Sequence, residues 1–466
     1  MAIRGLIPST LLSLSLAAAA AAPATSPLFS SQDVLTLRLE GPLHELIAKS
    51  ESADDSSAVT GRLILTQDGR DTTIDGVGIS LRGHTSRRAS ECTFPKLKLT
   101  LPAGQVGRTV LAGHSVLKIG THCGETTGDA ITAKYGRVAN EQSPLREGFV
   151  YRLLDVMGVP TLKARPARIT YVYTDGRSSA PDRRQSIVRH AVVIEDDDEA
   201  VSRLGGTRQI DEKGFTSARD QFAPADTALV AFAEAMLGNF DWCLKMTRED
   251  AYRCNARHPL WNVLAIVGSD NRARPLIYDF DVAGMVTGRH RWFKDVYYDG
   301  FMASRSQPAI EVLGQVQRTR SLFGRTELDA TRQHFMQKKS DAYKTLESSN
   351  VDAAGKQRIR EYLDAFFAAI GPDEAFYRPA VVAEGVRAYA DAAQTNPVCS
   401  AMGPVPVGTV VSDPTETTDR MMRVALLDTK WNWATPKPCA AIHSGLVWMQ
   451  RDVVSRDYPA AAAATR

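Results

Sequence analysis

Trp261-Asn-Val-Leu-Ala-Ile-Val-Gly-Ser-Asp-Asn-Arg-Ala-Arg-Pro-Leu-Ile-Tyr-Asp-Phe-Asp-Val-Ala-Gly284 is the stretch whose reading decides the fold. Two short apolar runs, Val263 to Val267 and Pro275 to Tyr278, flank the turn-forming string Gly268-Ser269-Asp270-Asn271. Runs of that length around such a string predict a β-hairpin. Asn262 opens the first strand and Asp279-Phe280-Asp281 closes the second, so the hairpin brings Asn262 and Asp279 together at its open end. Two oxygen-bearing side chains held there could face one hard cation on a phosphate chain, as phosphoryl-transfer sites require. A plain turn after an edge strand would carry the same letters, so the remainder of the chain has to decide.

At 466 residues, and with ~150 residues to a domain, about three units are expected. Apolar residues make up 44% and charged residues 23%, an ordinary globular balance. Lys plus Arg number 56 against 53 Asp plus Glu, and a formal charge of +3 gives no reason to expect a nucleic-acid partner or an acidic membrane surface. Low-complexity sequence is confined to alanine runs near the two ends. Arg4, the apolar Leu6 to Ala22 and the small-residue site Ala22-Pro23-Ala24 read as a signal peptide over residues 1–24, which implies a periplasmic or secreted protein. No later stretch reaches the ~18 apolar residues of a spanning helix, so no transmembrane span is expected. Six cysteines, at 92, 123, 243, 254, 399 and 439, suggest three disulfides paired in sequence order. None forms a C-x-x-C, which argues against a thiolate zinc site.

From Leu35 to Leu101 the pattern is mostly strand, with Gly61 to Thr66 and Val77 to Arg82 between turn signals. The loop Arg82-Gly83-His84-Thr85-Ser86-Arg87 offers hydroxyl, imidazole and guanidinium donors suited to phosphate oxygens, although a plain polar hairpin would look similar. In Phe94 to Leu101, Lys96 and Lys98 share one face while Leu97, Leu99 and Leu101 take the other. Ser143 as N-cap and Pro144 at the first position start a helix that ends at Gly158, with Pro160 beyond. Glu147 lies in its first turn and could pair with a strand lysine. Strands Arg168 to Tyr173 and Ile187 to Ile194 lead into the acidic run Glu195 to Glu199, read as a lobe boundary. Beyond it Leu229, Phe232, Ala233, Met236 and Leu237 follow helical spacing, and the helix stops at Gly238-Asn239-Phe240-Asp241. Asp241, on the loop leaving that helix and upstream of Asn262, is placed to orient a hydroxyl nucleophile. Amphipathic segments near Glu327 to Leu346 and Lys356 to Ile370 make this half mainly helical. Short strands at Val405 to Val411, Met421 to Leu427, Trp431 to Trp433 and Leu446 to Gln450 then predict a small all-β barrel. Its aromatics Trp431, Trp433, Trp448 and Tyr458 could pack a core or line a peptide groove.

Six stretches in order resemble the spore coat protein H (CotH) kinase-like family. They are Leu81-Arg-Gly-His-Thr-Ser-Arg87, Phe94-Pro-Lys-Leu-Lys98, Leu145-Arg-Glu-Gly-Phe-Val-Tyr-Arg-Leu-Leu-Asp-Val-Met-Gly-Val-Pro160, Val193-Ile-Glu-Asp196, Gly238-Asn-Phe-Asp241 and Tyr278-Asp-Phe-Asp281. The resemblance implies an α+β, two-lobed protein-kinase-like fold that binds ATP with Mg²⁺ or Mn²⁺ and phosphorylates Ser or Thr of a protein or peptide acceptor. By the same resemblance Asp241 is the catalytic-loop Asp. Asp279 is the metal Asp with Asp281 as the candidate second ligand, joined by Asn262 from the hairpin reading, and Lys96 or Lys98, the latter slightly favoured, holds phosphates while paired to Glu147. Arg82, His84, Ser86, Arg87 and Glu195 fall on the nucleotide side. The implied layout is a β-rich lobe over 25–198, a helical lobe over 199–396 and a barrel over 403–460. Residues Gly445 to Tyr458 are similar to bacterial Src-homology-3-like (SH3-like) domains, which implies a peptide or cell-wall ligand there. The chain departs from the family pattern where Trp242-Cys243-Leu244 follows Asp241, and where the step from Asp241 to Asn262 is long. Two other readings remain open: a pseudokinase or binding protein of the cell envelope, and a kinase-fold enzyme transferring AMP or an amino acid.

Overall fold

The structure is a computed structural model that describes residues 26–50, 57–174, 186–246, 259–289, 306–320, 322–398, 400, 403–428 and 446–456. The signal-peptide stretch lies outside these residues, as do Cys254, Cys399, Cys439, Trp431, Trp433 and Tyr458.

Strands β1 (Leu35–Gly41), β2 (Ala58–Gln67), β3 (Arg70–Leu81), β4 (Leu97–Thr100), β5 (Val116–Gly120), β6 (Ala164–Tyr173) and β7 (Ser186–Ile194) form a closed barrel in the order β1-β2-β3-β4-β5-β7-β6. Antiparallel neighbours make up most of it, and β1 closes the ring by pairing in parallel with β6, Leu35 opposite Ala167. Alternation puts Leu37, Leu39, Leu63, Leu65, Ile79 and Leu99 inside, each almost wholly buried. Closure removes the sheet edges that the open β-rich lobe would have left. The expected strand from Phe94 begins only at Leu97, because Pro95 has no N–H for a ladder; Phe94 keeps one isolated bridge to Cys123.

The helices are α1 (Leu43–Ala48), α2 (Ser143–Val156), α3 (Asp197–Arg203), α4 (Ala218–Gln221), α5 (Pro224–Leu237), α6 (Gly284–Thr287), α7 (Gln307–Arg320), α8 (Arg325–Glu347), α9 (Ala353–Ile370) and α10 (Asp373–Phe376). In α2 the cap is Gln142 rather than Ser143, and Asn140 closes the turn by accepting from the Gln142 N–H at 2.9 Å. The predicted stop holds: Gly158 adopts φ +72°, and Val159 N–H reaches back to the Leu154 carbonyl at 2.9 Å. α2 lies on β6 and β7 and also packs on α8, so Phe149, Val150, Leu153 and Leu154 join the helical core. Arg146, 1% exposed, bonds Asp129 at 2.7 Å and Asp352 at 2.8 and 2.9 Å, tying α2 to the N-cap of α9.

The hairpin forms as read. β8 (Gly206–Ile210), β9 (Cys243–Leu244), β10 (Leu260–Trp261), β11 (Val263–Gly268) and β12 (Ala273–Ile277) follow the barrel, with Val263 opposite Ile277. β8 adds a third strand on β11 that the sequence did not announce. Further on, β13 (Ala380–Val381), β14 (Val410–Val411), β15 (Glu416–Thr417), β16 (Met421–Val424), β17 (Leu426–Asp428), β18 (Val447–Gln450) and β19 (Val454–Ser455) build two sheets, β17-β14-β13-β19 and β15-β16-β18. The first strand comes from Ala380–Val381, so the expected start at 403 falls inside the sheet. Ala380, Val410 and Ala425 are buried in the same cluster as α7 to α9, which packs these strands on the helices.

Candidate active site

Lys96 is the centre of the site. It lies immediately before β4, is 6% exposed, and its Nζ bonds Asp279, reaches Asp281 at 2.9 Å and lies 4.0 Å from Glu147. Burial works against its charge, but Asp279, Asp281 and Glu147 outweigh it, so the ammonium is held well above the ordinary lysine range. Glu147 is pushed up, first by burial and then by the two aspartates, with Lys96 pulling the other way.

Each partner is placed by its own element. β12 delivers Asp279, whose backbone takes φ +65° and whose N–H donates to the Tyr151 hydroxyl of α2 at 3.0 Å. Two residues on, Asp281 accepts from Arg137 Nε at 2.7 Å. Burial alone would raise the Asp281 carboxyl, but Arg137 and Lys96 drive it far below the usual range, so it is a fixed anion. Arg137 Nη2 also donates to Thr85 Oγ1 at 2.7 Å, linking the Arg82 to Arg87 loop to the acidic motif. Glu147 Oε1, Asp281 Oδ1 and Arg137 Nη1 are buried without hydrogen-bond partners among the described residues. Together with Lys96 and the Cys92–Cys123 disulfide their residues line a cavity of about 20 Å³, room for one water.

The long step from Asp241 to Asn262 is closed by a ladder. β9 and β10 pair Cys243 with Trp261 and Leu244 with Leu260, which brings Asn262, next after β10, to Asp241, two residues before β9. Asn262 Nδ2 donates to the Asp241 carbonyl at 2.5 Å and to its carboxylate at 3.3 Å, while Trp261 Nε1 reaches the other carboxylate oxygen at 3.3 Å. Burial, then the charges of Asp279 and Asp281, push the Asp241 carboxyl up to about 6. Cys243 is disulfide-bonded, and its partner lies outside the described residues. Of the sequence-order pairs, Cys92–Cys123 is formed.

No protein-family model matches the chain, and no curated protein matches it. Among solved structures, a chain of the toxin–antitoxin complex of HipA, HipB and operator DNA from Shewanella oneidensis MR-1 superposes with a TM-score of 0.25. It is 11% identical over 71% of this chain and 71% of that one. At that score the likeness carries no argument, and function has to be reasoned from the residues around Lys96.

The expected residues fall into two groups. Lys96, Glu147, Asp279 and Asp281 converge, and Asp241 and Asn262 adjoin each other, with the charges of Asp279 and Asp281 acting on Asp241. Lys98, the slightly favoured lysine, is displaced by Lys96: it stands opposite Lys118 within the ladder, half-buried, and forms no ion pair with these carboxylates. Glu195 leaves the nucleotide side. Its carboxylate is bonded by Arg203 at 2.8 Å through both oxygens and accepts from the Lys163 N–H at 2.9 Å, so its side chain braces the β7–α3 junction. In the loop, Ser86 is buried and its hydroxyl donates to the Arg82 carbonyl at 3.4 Å; Arg87 donates to the Leu81 carbonyl at 3.1 Å; His84 is exposed. Arg82 is half-buried, and its Nε has no hydrogen-bond partner among the described residues. Arg137 was not foreseen, because nothing local marks it and its partner Asp281 lies 144 positions away.

A divalent cation fits this donor set. Asp279, the amide oxygen of Asn262 and the orphaned Asp281 Oδ1 are hard oxygen donors. Among the described residues no three His, Cys, Asp or Glu side chains form a metal-holding group.

Gly83 tests the loop. It adopts φ +81°, and a Cβ there would lie 2.6 Å from Ser86 Oγ. If the loop covers nucleotide phosphates, Gly83→Ala, which is expected to cost about 1–3 kcal/mol of local strain, also weakens ATP binding. Gly69→Ala, at φ +71° in open space, is the control that strains a turn and leaves binding alone. A calorimetric ATP titration of both variants checks this; equal affinities would remove the loop from the phosphate site.

Proposed function

We propose that the chain is an exported, ATP-dependent phosphotransferase of kinase-like, two-lobed design, of the kind the CotH resemblance implies, acting on Ser or Thr hydroxyls of a protein acceptor. The observation that carries this is Lys96 held among Asp279, Asp281 and Glu147, with Asp241 and Asn262 brought together by the β9–β10 ladder. Lys96 would hold the non-transferred phosphates, and Glu147 keeps its ammonium in place. Arg82 adds a second cation beside the same oxygens. Asp241 accepts the proton of the attacking hydroxyl and aims its oxygen. Asp279, Asn262 and Asp281 would hold a Mg²⁺ or Mn²⁺ ion, which would supply charge neutralisation at the phosphates. Catalysis on this view is positioning and charge stabilisation. The C-terminal strands, read as an SH3-like unit, would present a peptide or cell-wall ligand to the half-exposed Trp448.

ATP with a divalent cation is expected to stabilise the mature protein by about 2.7 kcal/mol at one hundred times its dissociation constant, and Asp279→Ala to remove most of that gain. A thermal-shift titration measures it; no metal-dependent response to ATP would end the nucleotide reading. Incubation with ATP labelled at the γ or the α phosphate, with generic acceptors, then separates the chemistries. Label arriving from γ alone supports phosphotransfer, label from α means AMP transfer, and binding without transfer means a pseudokinase.

A further inference from the structure

The last turn of α5 holds a carboxyl group that the roles above do not use. Glu234 is 0% exposed, in a helix whose neighbouring residues Ala231, Phe232, Ala233 and Met236 are equally buried. Its Oε2 accepts from Asn239 Nδ2 at 2.8 Å, and its backbone carbonyl accepts from the Asn239 N–H at 3.0 Å. Asn239, itself 0% exposed, turns its Oδ1 to the Asp241 N–H at 3.0 Å. Gly238 allows the chain to double back by ending α5 at φ +57°, and its carbonyl takes the Gly284 N–H at 3.1 Å, just after the acidic motif. The tether therefore runs from Glu234 through Asn239 to the backbone of Asp241, in a loop that is also fastened to the Asp279–Asp281 strand end.

Such a tether is costly to keep. The Glu234 Oε1 is buried without a hydrogen-bond partner among the described residues. Burial, against the help of Asn239, raises its carboxyl well above the usual range. An apolar side chain of similar size would satisfy that position in the helix core at less expense.

We propose that Glu234 is a positioning residue for phosphotransfer, which acts through Asn239 to fix the backbone of Asp241 and so the direction of its carboxylate. This rests on the proposed function, and the part it gives the carboxyl group is that of a hydrogen-bond acceptor for Asn239.

The test compares Glu234→Gln with Glu234→Leu in the full mature chain. Gln keeps an acceptor for Asn239 and is expected to retain turnover. Leu is expected to lower kcat on the order of 10²-fold, the scale of a misaimed group, with KM for ATP unchanged and the denaturation midpoint not lowered. In the same proteins, amide exchange at the peptide containing Asp241 should run roughly tenfold faster in the Leu variant and at the wild-type rate in the Gln variant. Unchanged kcat and exchange in Glu234→Leu would overturn the proposal, as would a loss of kcat that merely tracks a lowered midpoint. Where Glu234→Leu does not fold, Asn239→Ala must give the same kcat loss and faster exchange, and unchanged values there overturn it too. A wild-type chain that transfers no label while the exchange difference persists removes the phosphotransfer reading and leaves the positioning intact.

Discussion

Lys96→Met is expected to abolish ATP-dependent stabilisation and to reduce transfer on the order of 10³-fold, the upper range for removing one fixed donor at a developing charge, while Lys98→Met leaves both unchanged. The asymmetry follows from environment, since both lysines lie on one face. Lys96 is buried against three carboxylates, whereas Lys98 stands half-buried in the ladder opposite Lys118. Removing Lys96 also leaves Asp279 and Glu147 without their shared cation, so the variant loses about 3–5 kcal/mol of stability, as broken buried pairs do. Lys96→Arg is the companion variant: it keeps the charge and the fold but changes the donor geometry, and transfer should fall while the denaturation midpoint recovers. Thermal shift and γ-label transfer measured on all three decide the matter. Equal losses in Lys98→Met would return the phosphate role to that residue.

Asp241→Asn is expected to keep the ATP-induced rise in melting temperature and to lose transfer by roughly 10²–10⁴-fold, the usual weight of a general base. Loss of ATP binding together with transfer would move Asp241 to the cation side of the site. Its pH behaviour has a definite sign. The carboxyl sits at about 6 in the folded chain against 3.8 unfolded, so the folded state keeps a proton that the unfolded state releases. Stability from this group is therefore present at low pH and is lost as pH rises across that window. Asp241→Asn should flatten that part of the curve in denaturant titrations between pH 4 and 7. In kinetics the demand is opposite, because the ionised form accepts the proton, and kcat/KM should fall as pH drops below about 6.

What could be read from the letters was whatever depends on near neighbours. The Val263–Gly268 hairpin, the Gly158 stop of α2 and the Gly238 stop of α5 all rest on turn chemistry and spacing within a few residues. The acidic motif and Glu147 could be assigned to one site because their residue types allow few other uses in that order. The choice between Lys96 and Lys98 could not be made, since period-two alternation gives both the same direction; it depends on Pro95 delaying the ladder and on which lysine the carboxylates reach. Barrel closure was equally hidden, because a strand carries no letter for the partner it meets more than a hundred residues later. Arg137 and Glu234 escaped notice for the same reason, one through a partner across the chain and the other inside an apolar helix face where a carboxylate looks like an anomaly.

That closure has a kinetic consequence. Leu35–Gly41 cannot complete its pairing until Ala167–Tyr173 exists, and the contact joins segments separated by most of the barrel. The search for it comes after the local hairpins have formed, so the ring is the contact of highest order in this part of the chain and sets the slow step. Until then β1 presents one open edge and β6 another, and the newly made chain carries two strands able to pair with a neighbour instead of with each other. Refolding yield should therefore fall with protein concentration.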